Sequence, residues 1–301
     1  YYSDEYKVRL TPEEASIIEF LSKKVTNMKR IYELALLQQL LQQRRRVFTY
    51  YEKTLEMTYH KKLNLQTEES VVRNLTNEFP KEEERKKYKD CVLIKKSSEG
   101  YVLEDKFEKM LNENLEFLKM VDELIQYGIE NYQENYSDSY KDTDFQLYQK
   151  YTYEDACHLL NWEKNEVPLN IGGYKYDKKT KTFPVFINYH KQEDISDTTK
   201  YEDHFINNQR LIAISKSGRS LESEDVQNFL KARERGIAVH LFVRKNKDDK
   251  ISKEFYYLGK MSSTGAVREF VMPNTDKTAV EIEWALDTPV REDIYEYMIN
   301  G

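Results

Sequence analysis

Carboxylates crowd one stretch of the chain, at Glu193, Asp194, Asp197, Glu202 and Asp203, interleaved with the aromatic rings of Tyr189, His190, Tyr201 and Phe205. Acids so spaced can hold a divalent cation or share acid-base work. No lysine accompanies them at nuclease-like spacing, so a solvated loop or a recognition role competes with metal-dependent cleavage. A second constellation follows at Ser215-Lys-Ser-Gly-Arg-Ser220. Its small hydroxyl residues and glycine allow close approach to a phosphate. Ser215, Ser217 and main-chain N–H groups could donate while Lys216 and Arg219 neutralise charge. The same residues would also make an ordinary turn capping the next helix. Lys175 and Lys245 lie in the basic runs Tyr174–Lys181 and Arg244–Lys247, which read as hairpin tips whose charges are solvated or touch phosphate at a rim.

Other chemistries find less. His60-Lys61-Lys62 opens like the His-x-Lys motif of phospholipase D nucleases, whose histidine attacks phosphorus, but Thr67 stands where the aspartate is needed. No Gly-x-x-x-x-Gly-Lys-Ser/Thr loop occurs, so these residues do not bind ATP in the helicase manner. The two cysteines, Cys91 and Cys157, lie far apart, and the five histidines show no zinc-ligand spacing. Neither a disulfide framework nor a metal site is expected, which suits a reducing cytoplasm. His240, opposite the Val239, Leu241 and Val243 face of a strand, reads as a satisfied structural histidine, and Trp162 as a packing anchor.

The elements that must position these groups change character near residue 140. Before it, Thr11-Pro12-Glu13-Glu14 is a capped helix start. Ile31, Leu34, Leu37 and Leu41 keep helical spacing ahead of Arg44-Arg45-Arg46, and another helix starts at Thr67. Cys91–Lys95 and Tyr101–Leu103 read as a hairpin. A long helix is expected from Glu104 to Tyr132, bent or shortened at Gly128. Tyr136–Asp144 is the linker. Beyond it, Thr152 caps a short helix, and strands are expected at Phe183–Tyr189, Ile237–Val243, Phe255–Leu258, Val267–Met272 and Val280–Leu286, with one helix at Leu221–Arg233.

The chain has 301 residues and a formal net charge of −6. Neither half is basic, so any nucleic-acid contact must come from local patches, and tight nonspecific binding is not expected. No apolar run approaches the roughly 18 residues of a membrane span. The start at Tyr1 reads as a piece of something longer.

Several segments occurring in order resemble one family. They are Tyr151-Thr-Tyr-Glu-Asp-Ala-Cys-His-Leu-Leu-Asn-Trp162, Phe183-Pro-Val-Phe-Ile-Asn-Tyr-His190, Lys200-Tyr-Glu-Asp-His-Phe205 and Ser215–Ser220, joined more loosely by Leu10-Thr-Pro-Glu-Glu14 and the leucine-rich helix after Met28. Together they resemble the C-terminal region of bacterial proteins built from a phospholipase-D-type nuclease, a superfamily 2 helicase and a tail, the SauUSI-like type IV restriction enzymes. The resemblance implies an α+β chain. Residues 1–140 would be an all-helical coupler, and the order of helix then hairpin within it is also what a winged-helix module shows. Residues 145–301 would be a small mixed, mostly antiparallel β-barrel of SRA/PUA-like type.

It further implies a partner, double-stranded DNA carrying 5-methylcytosine or 5-hydroxymethylcytosine. Tyr189, His190, Asp197, Tyr201, Glu202 and Asp203 would form the modified-base pocket, where a carboxylate accepts the cytosine amine. Ser215, Lys216, Ser217, Arg219, Lys175 and Lys245 would face the DNA backbone. The fragment itself would carry no catalytic residue, metal or cofactor; ATP and magnesium would serve an upstream helicase, and helicase and nuclease domains would be partners in cis. No membrane is implicated, and an exposed leucine-rich helix could pair with a second copy. A protein-interaction scaffold joining motor to nuclease is the alternative.

Overall fold

The computed structural model describes residues 9–42, 47–166, 175–189, 202–245 and 252–300. They form two compact units, the first comprising Tyr1–Asp138 with Cys157–Asn165 and the second Ser139–Ala156 with Glu166–Gly301.

In the first unit, Pro12–Leu21 (α1) begins at a complete capping box. Thr11 Oγ1 accepts the Glu14 N–H at 3.2 Å, and Glu14 Oε2 accepts the Thr11 N–H at 2.9 Å. The helix widens into a π-helical turn at Ser22–Thr26. Tyr32–Gln42 (α2) follows, buried on nearly every side through Leu34, Ala35, Leu36, Leu37 and Leu40. Val47–Tyr59 (α3), Leu65–Leu75 (α4) and Glu82–Lys87 (α5) come next; Asn64, rather than Thr67, caps α4. The unit is not all-helical, since Ile94–Ser97 (β1) and Gly100–Leu103 (β2) pair as an antiparallel hairpin.

The single long helix expected from Glu104 is two, Asp105–Glu113 (α6) and Leu115–Asn135 (α7). Asn114, in extended backbone, ends the first and caps the second by accepting the N–H groups of Glu116 and Phe117. α7 runs on through Gly128 and is not shortened there. A Cβ there would sit 2.9 Å from Leu34 Cδ2, so glycine lets α7 approach α2 closely.

A buried ionic network crosses this unit. Arg30 Nε binds both Glu33 oxygens, at 3.0 and 2.9 Å, while its other nitrogens donate to the His158 carbonyl, Asn161 Oδ1 and Ser70 Oγ at 2.9, 2.8 and 3.1 Å. His158 Nε2 lies 2.9 Å from Glu33 Oε1. Burial works against ionisation of Glu33, but Arg30 and His158 overcome it and hold the carboxyl below the usual range. These bonds fasten Cys157–Asn165, in which Trp162 is buried as expected.

The second unit is a mixed seven-stranded sheet. Its strands are Lys150–Tyr151 (β3), Thr182–Tyr189 (β4), His204–Asn207 (β5), Arg210–Ile214 (β6), Ala238–Lys245 (β7), Phe255–Val271 (β8) and Thr278–Leu286 (β9), in the order β4-β7-β8-β9-β6-β5 with β3 beside β8. β4 and β7 pair in parallel, the rest antiparallel. β8 is one strand of 17 residues where two were expected. Its register shifts between Ser263 and Val267, and such a bulge strengthens twist and bends the strand.

The sheet curls far enough for its end strands to meet. Tyr189, last in β4, packs its ring 5.4 Å from that of Phe205 in β5. One core lies within this curl, from Phe183, Val185, Ile187, Val239, Leu241 and Trp284 to Val226 and Phe229 of Glu224–Leu230 (α9) and Met298 of Glu292–Asn300 (α11). A short helix at Tyr153–Leu159 (α8) precedes β4, as expected after Thr152. The expected helix at Leu221–Arg233 is shorter, and Ala232–Arg235 (α10) follows it. The other face of β7 packs into aromatic rings, where Phe145 lies 5.6 Å from His240 and 5.3 Å from Phe242. His240 Nδ1 is 3.0 Å from the Tyr257 hydroxyl, and burial, aided by Lys260, pushes its pKa down to about 3. It is a neutral, structural histidine.

Arg30→Ala should destabilise the protein by about 3–5 kcal/mol, because a buried carboxylate loses its partner, whereas Arg30→Met with Glu33→Leu should cost much less. Denaturant titration of the variants decides this; a double variant as unstable as the single one would refute the assignment.

Candidate nucleic-acid interface

Tyr189 is buried at the end of β4, and its hydroxyl accepts the Phe205 N–H at 3.4 Å. His190, Asp197 and Tyr201 lie outside the described residues. Glu202 and Asp203 lead into β5. His204 Nδ1 turns back to the Glu202 carbonyl at 2.9 Å, while Glu202 Oε2 is a buried oxygen with no hydrogen-bond partner among the described residues. A native buried acceptor left unsatisfied calls for an explanation, and a ligand donor is one.

Asp203 is engaged in a different way. Its Oδ1 accepts the N–H of Ile214, last residue of β6, at 2.8 Å. Burial pushes its pKa up to about 6, the Ile214 bond and His204 opposing, Glu202 adding a little. The carboxyl thus stands on the lead-in to β5, and its bond reaches the residue at which the basic turn begins.

Immediately after Ile214 comes the loop Ser215–Ser220, and β9 holds it. The Ser215 N–H donates to the Val280 carbonyl at 2.8 Å, and Ser215 Oγ accepts the Val280 N–H at 2.9 Å while donating to the Lys216 carbonyl at 3.1 Å. The N–H groups of Gly218 and Arg219 donate to the Thr278 carbonyl at 2.8 and 3.2 Å. The expectation that Ser215 and these main-chain groups donate to phosphate is therefore corrected: they are occupied in fixing the loop. Gly218 has φ +81°, a conformation glycine adopts without strain. Ser217 is exposed at the tip.

What the loop presents is cationic. Lys216 is half-buried; burial and the like charges of Arg219 and Lys175 lower its pKa, with Asp225 opposing. Arg219 is oriented by Asp225, its Nε 2.6 Å from Oδ2, and Lys175 by Glu166 at 2.6 Å. The structure thus brings together three of the residues expected to face the DNA backbone, Lys175, Lys216 and Arg219. Ser220 caps nothing by itself; its N–H donates to Ser223 Oγ ahead of α9.

Lys245 is not among them. It ends β7 inside the sheet and not in a hairpin tip, is buried, and sets its ammonium 3.9 Å from the Tyr297 ring centre. Arg244 beside it is buried over Phe255 at 4.1 Å and donates to Asn188 Oδ1 at 2.8 Å. Sequence reasoning missed Val280, Thr278 and Asp225. They hold the loop through the pairing of β6 with β9 and through α9, and no local motif marks them. Among the described residues no group of His, Cys, Asp and Glu side chains could hold a metal ion.

These features define an α+β protein in which a curled mixed sheet carries a braced cationic loop beside an acidic pair. Residues 145–298, just over half of the chain, match the family model described as a domain of unknown function, DUF3427, and the chain belongs to that family. Residues 1–136 match a second model, the domain of unknown function DUF8090. No curated protein matches. Among solved structures, the SRA domain of SUVH5 in complex with hemimethylated CG DNA is similar at 12% identity and TM-score 0.32, over 48% of this chain and 91% of that one. KRYPTONITE in complex with mCHG DNA gives 13% and 0.33 over 58% and 38%, and Arabidopsis thaliana SUVH6 gives 12% and 0.33 over 75% and 39%. The likeness is distant.

The raised pKa of Asp203 sets a stability prediction. Between its unfolded value near 4 and its folded value of about 6 the native state binds more protons, so stability falls as pH rises through that window. At pH 7–8 the ionised form costs up to about 3 kcal/mol. Asp203→Asn should raise thermal stability at pH 7.5, and its advantage should vanish by about pH 4. A pH-independent difference in melting temperature would contradict this.

Proposed function

We propose that this chain is the recognition part of an ATP-dependent type IV restriction enzyme, binding duplex DNA that contains 5-methylcytosine or 5-hydroxymethylcytosine. The observation that carries it is the gathering of Lys216, Arg219 and Lys175 around one braced turn, directly after the residue that Asp203 holds. Three cations gathered at one turn suit an anionic ligand, and a phosphodiester backbone supplies several anions in a row. Beside it, the unsatisfied Glu202 Oε2 is the acceptor for the exocyclic amine of cytosine, whereas Tyr189, expected in the pocket, packs with Phe205 inside the core. Reaching a cytosine in this way requires taking it out of the stack, at a few kcal/mol that stacking and edge hydrogen bonds offset.

In this reading the fragment binds and does not cut. Cleavage, and the use of ATP and magnesium, belong to helicase and nuclease domains elsewhere in a longer cytoplasmic protein, to which the helical first unit couples recognition. No residue of this chain is given a catalytic role.

Binding to two duplexes of one sequence, with and without 5-methylcytosine, tests this at about 150 mM salt, where nonspecific phosphate contacts are weakened. Wild type should prefer the methylated duplex. Glu202→Ala should lose that preference, by roughly 1–3 kcal/mol. Equal affinity for both duplexes, or none, would sink the proposal and favour the scaffold.

A further inference from the structure

We propose that Asp203 is a positioning residue for phosphate binding: its carboxylate, by holding the Ile214 N–H, fixes the turn that carries Lys216 and Arg219 and ties that turn to the strand lead-in bearing Glu202. The inference rests on the DNA-binding reading and deepens it. Asp203 and Ile214 lie 11 residues apart, and the bond between them is 2.8 Å long. β5 and β6 already pair at His204 with Ile212 and at Phe205 with Leu211, so the Asp203 bond extends this antiparallel pair past its last main-chain partner. It fastens the point where β6 ends.

From the other side, β9 fastens the same turn through Ser215 with Val280 and through Gly218 and Arg219 with Thr278. The turn is held from both neighbours of β6, and Asp203 is the only one of these anchors that uses a side chain from the segment next to Glu202. A carboxylate is a costly way to cap one N–H group where its surroundings disfavour the ionised form. What it secures is a fixed relation between the base-facing carboxylate, one residue earlier, and the cations two and five residues after Ile214. A base and the phosphate that precedes or follows it keep a set spacing, so a reader must hold its acceptor and its cations at a matching one.

The test measures DNA affinity of the full chain as a function of salt. Asp203→Asn retains an acceptor for the Ile214 N–H and should keep both affinity and salt slope. Asp203→Ala and Asp203→Glu remove or displace that acceptor and should weaken binding, with a slope reduced by about one for each phosphate no longer neutralised. Lys216→Ala and Arg219→Ala should reduce the slope in the same way. If Asp203→Ala does not fold, the Asn and Glu pair decides.

Wild-type slope in Asp203→Glu and Asp203→Ala, alongside a reduced slope in Lys216→Ala, would overturn this proposal and leave the DNA reading standing. Absence of salt-dependent binding by wild type would overturn both. A lower melting temperature with unchanged slope would mark Asp203 as structural only.

Discussion

A sheet whose two end strands touch must curl, and in this protein the touch is Tyr189 against Phe205. It closes the core of the second unit. The curl brings the exit of β4 beside the entrance of β5, and antiparallel pairing of β5 with β6 sets the lead-in carrying Glu202 and Asp203 where β6 leaves the sheet. Three features make the curvature attainable. β8 is long and bulged, so one strand serves both halves of the sheet. The concave side is filled by large groups, Trp284 and Phe229 among them, packed edge to face with ring centres 5.2 Å apart. The outer side of β7 is buried too, under Phe145, Tyr151 and Tyr257.

That double burial explains what the sequence shows and what it hides. Alternation in Ile237–Val243 marks a strand, and so it is, but both of its faces are covered. A strand buried on both sides is what parallel pairing usually requires, and β7 pairs in parallel with β4. The second cover comes from Phe145 and Tyr151, just beyond the linker segment, and no periodicity there announces a core. β8 reads as two strands because Ser262, Ser263, Thr264 and Gly265 interrupt its apolar pattern; the interruption is the bulge. In the first unit the capping box at Thr11 is legible because its chemistry is local. The break at Asn114 is obscured by unbroken apolar spacing on both sides, and the return of Cys157–Asn165 to Arg30 depends on partners more than a hundred residues away.

The site shows the same division. A glycine between two cations announces the turn at Ser215–Ser220, and its cations do gather with Lys175. Which donors remain for a ligand is not legible, because the Ser215 hydroxyl donates to the Lys216 carbonyl and the Gly218 and Arg219 amides are taken by Thr278 of β9. Lys245 looks like a tip residue because Asn246, Lys247 and two aspartates follow it. Its strand runs on to that very residue, and its ammonium finds an aromatic face in place of water.

Charge poses the remaining question, since a chain of net charge −6 is a poor general ligand for phosphate. The arrangement answers it by rationing. Arg219 and Lys175 each keep an acid, Asp225 and Glu166, so neither projects a strong field far from the turn. Lys216 is half-buried, with burial and Arg219 disfavouring its ionised form and Asp225 favouring it, and water and salt screen its interaction with any anion that is not at contact distance. Such a turn favours a docked backbone over a passing one. On the proposed reading, weak general attraction leaves selectivity to Glu202, the balance that discrimination against a large excess of unmodified DNA requires.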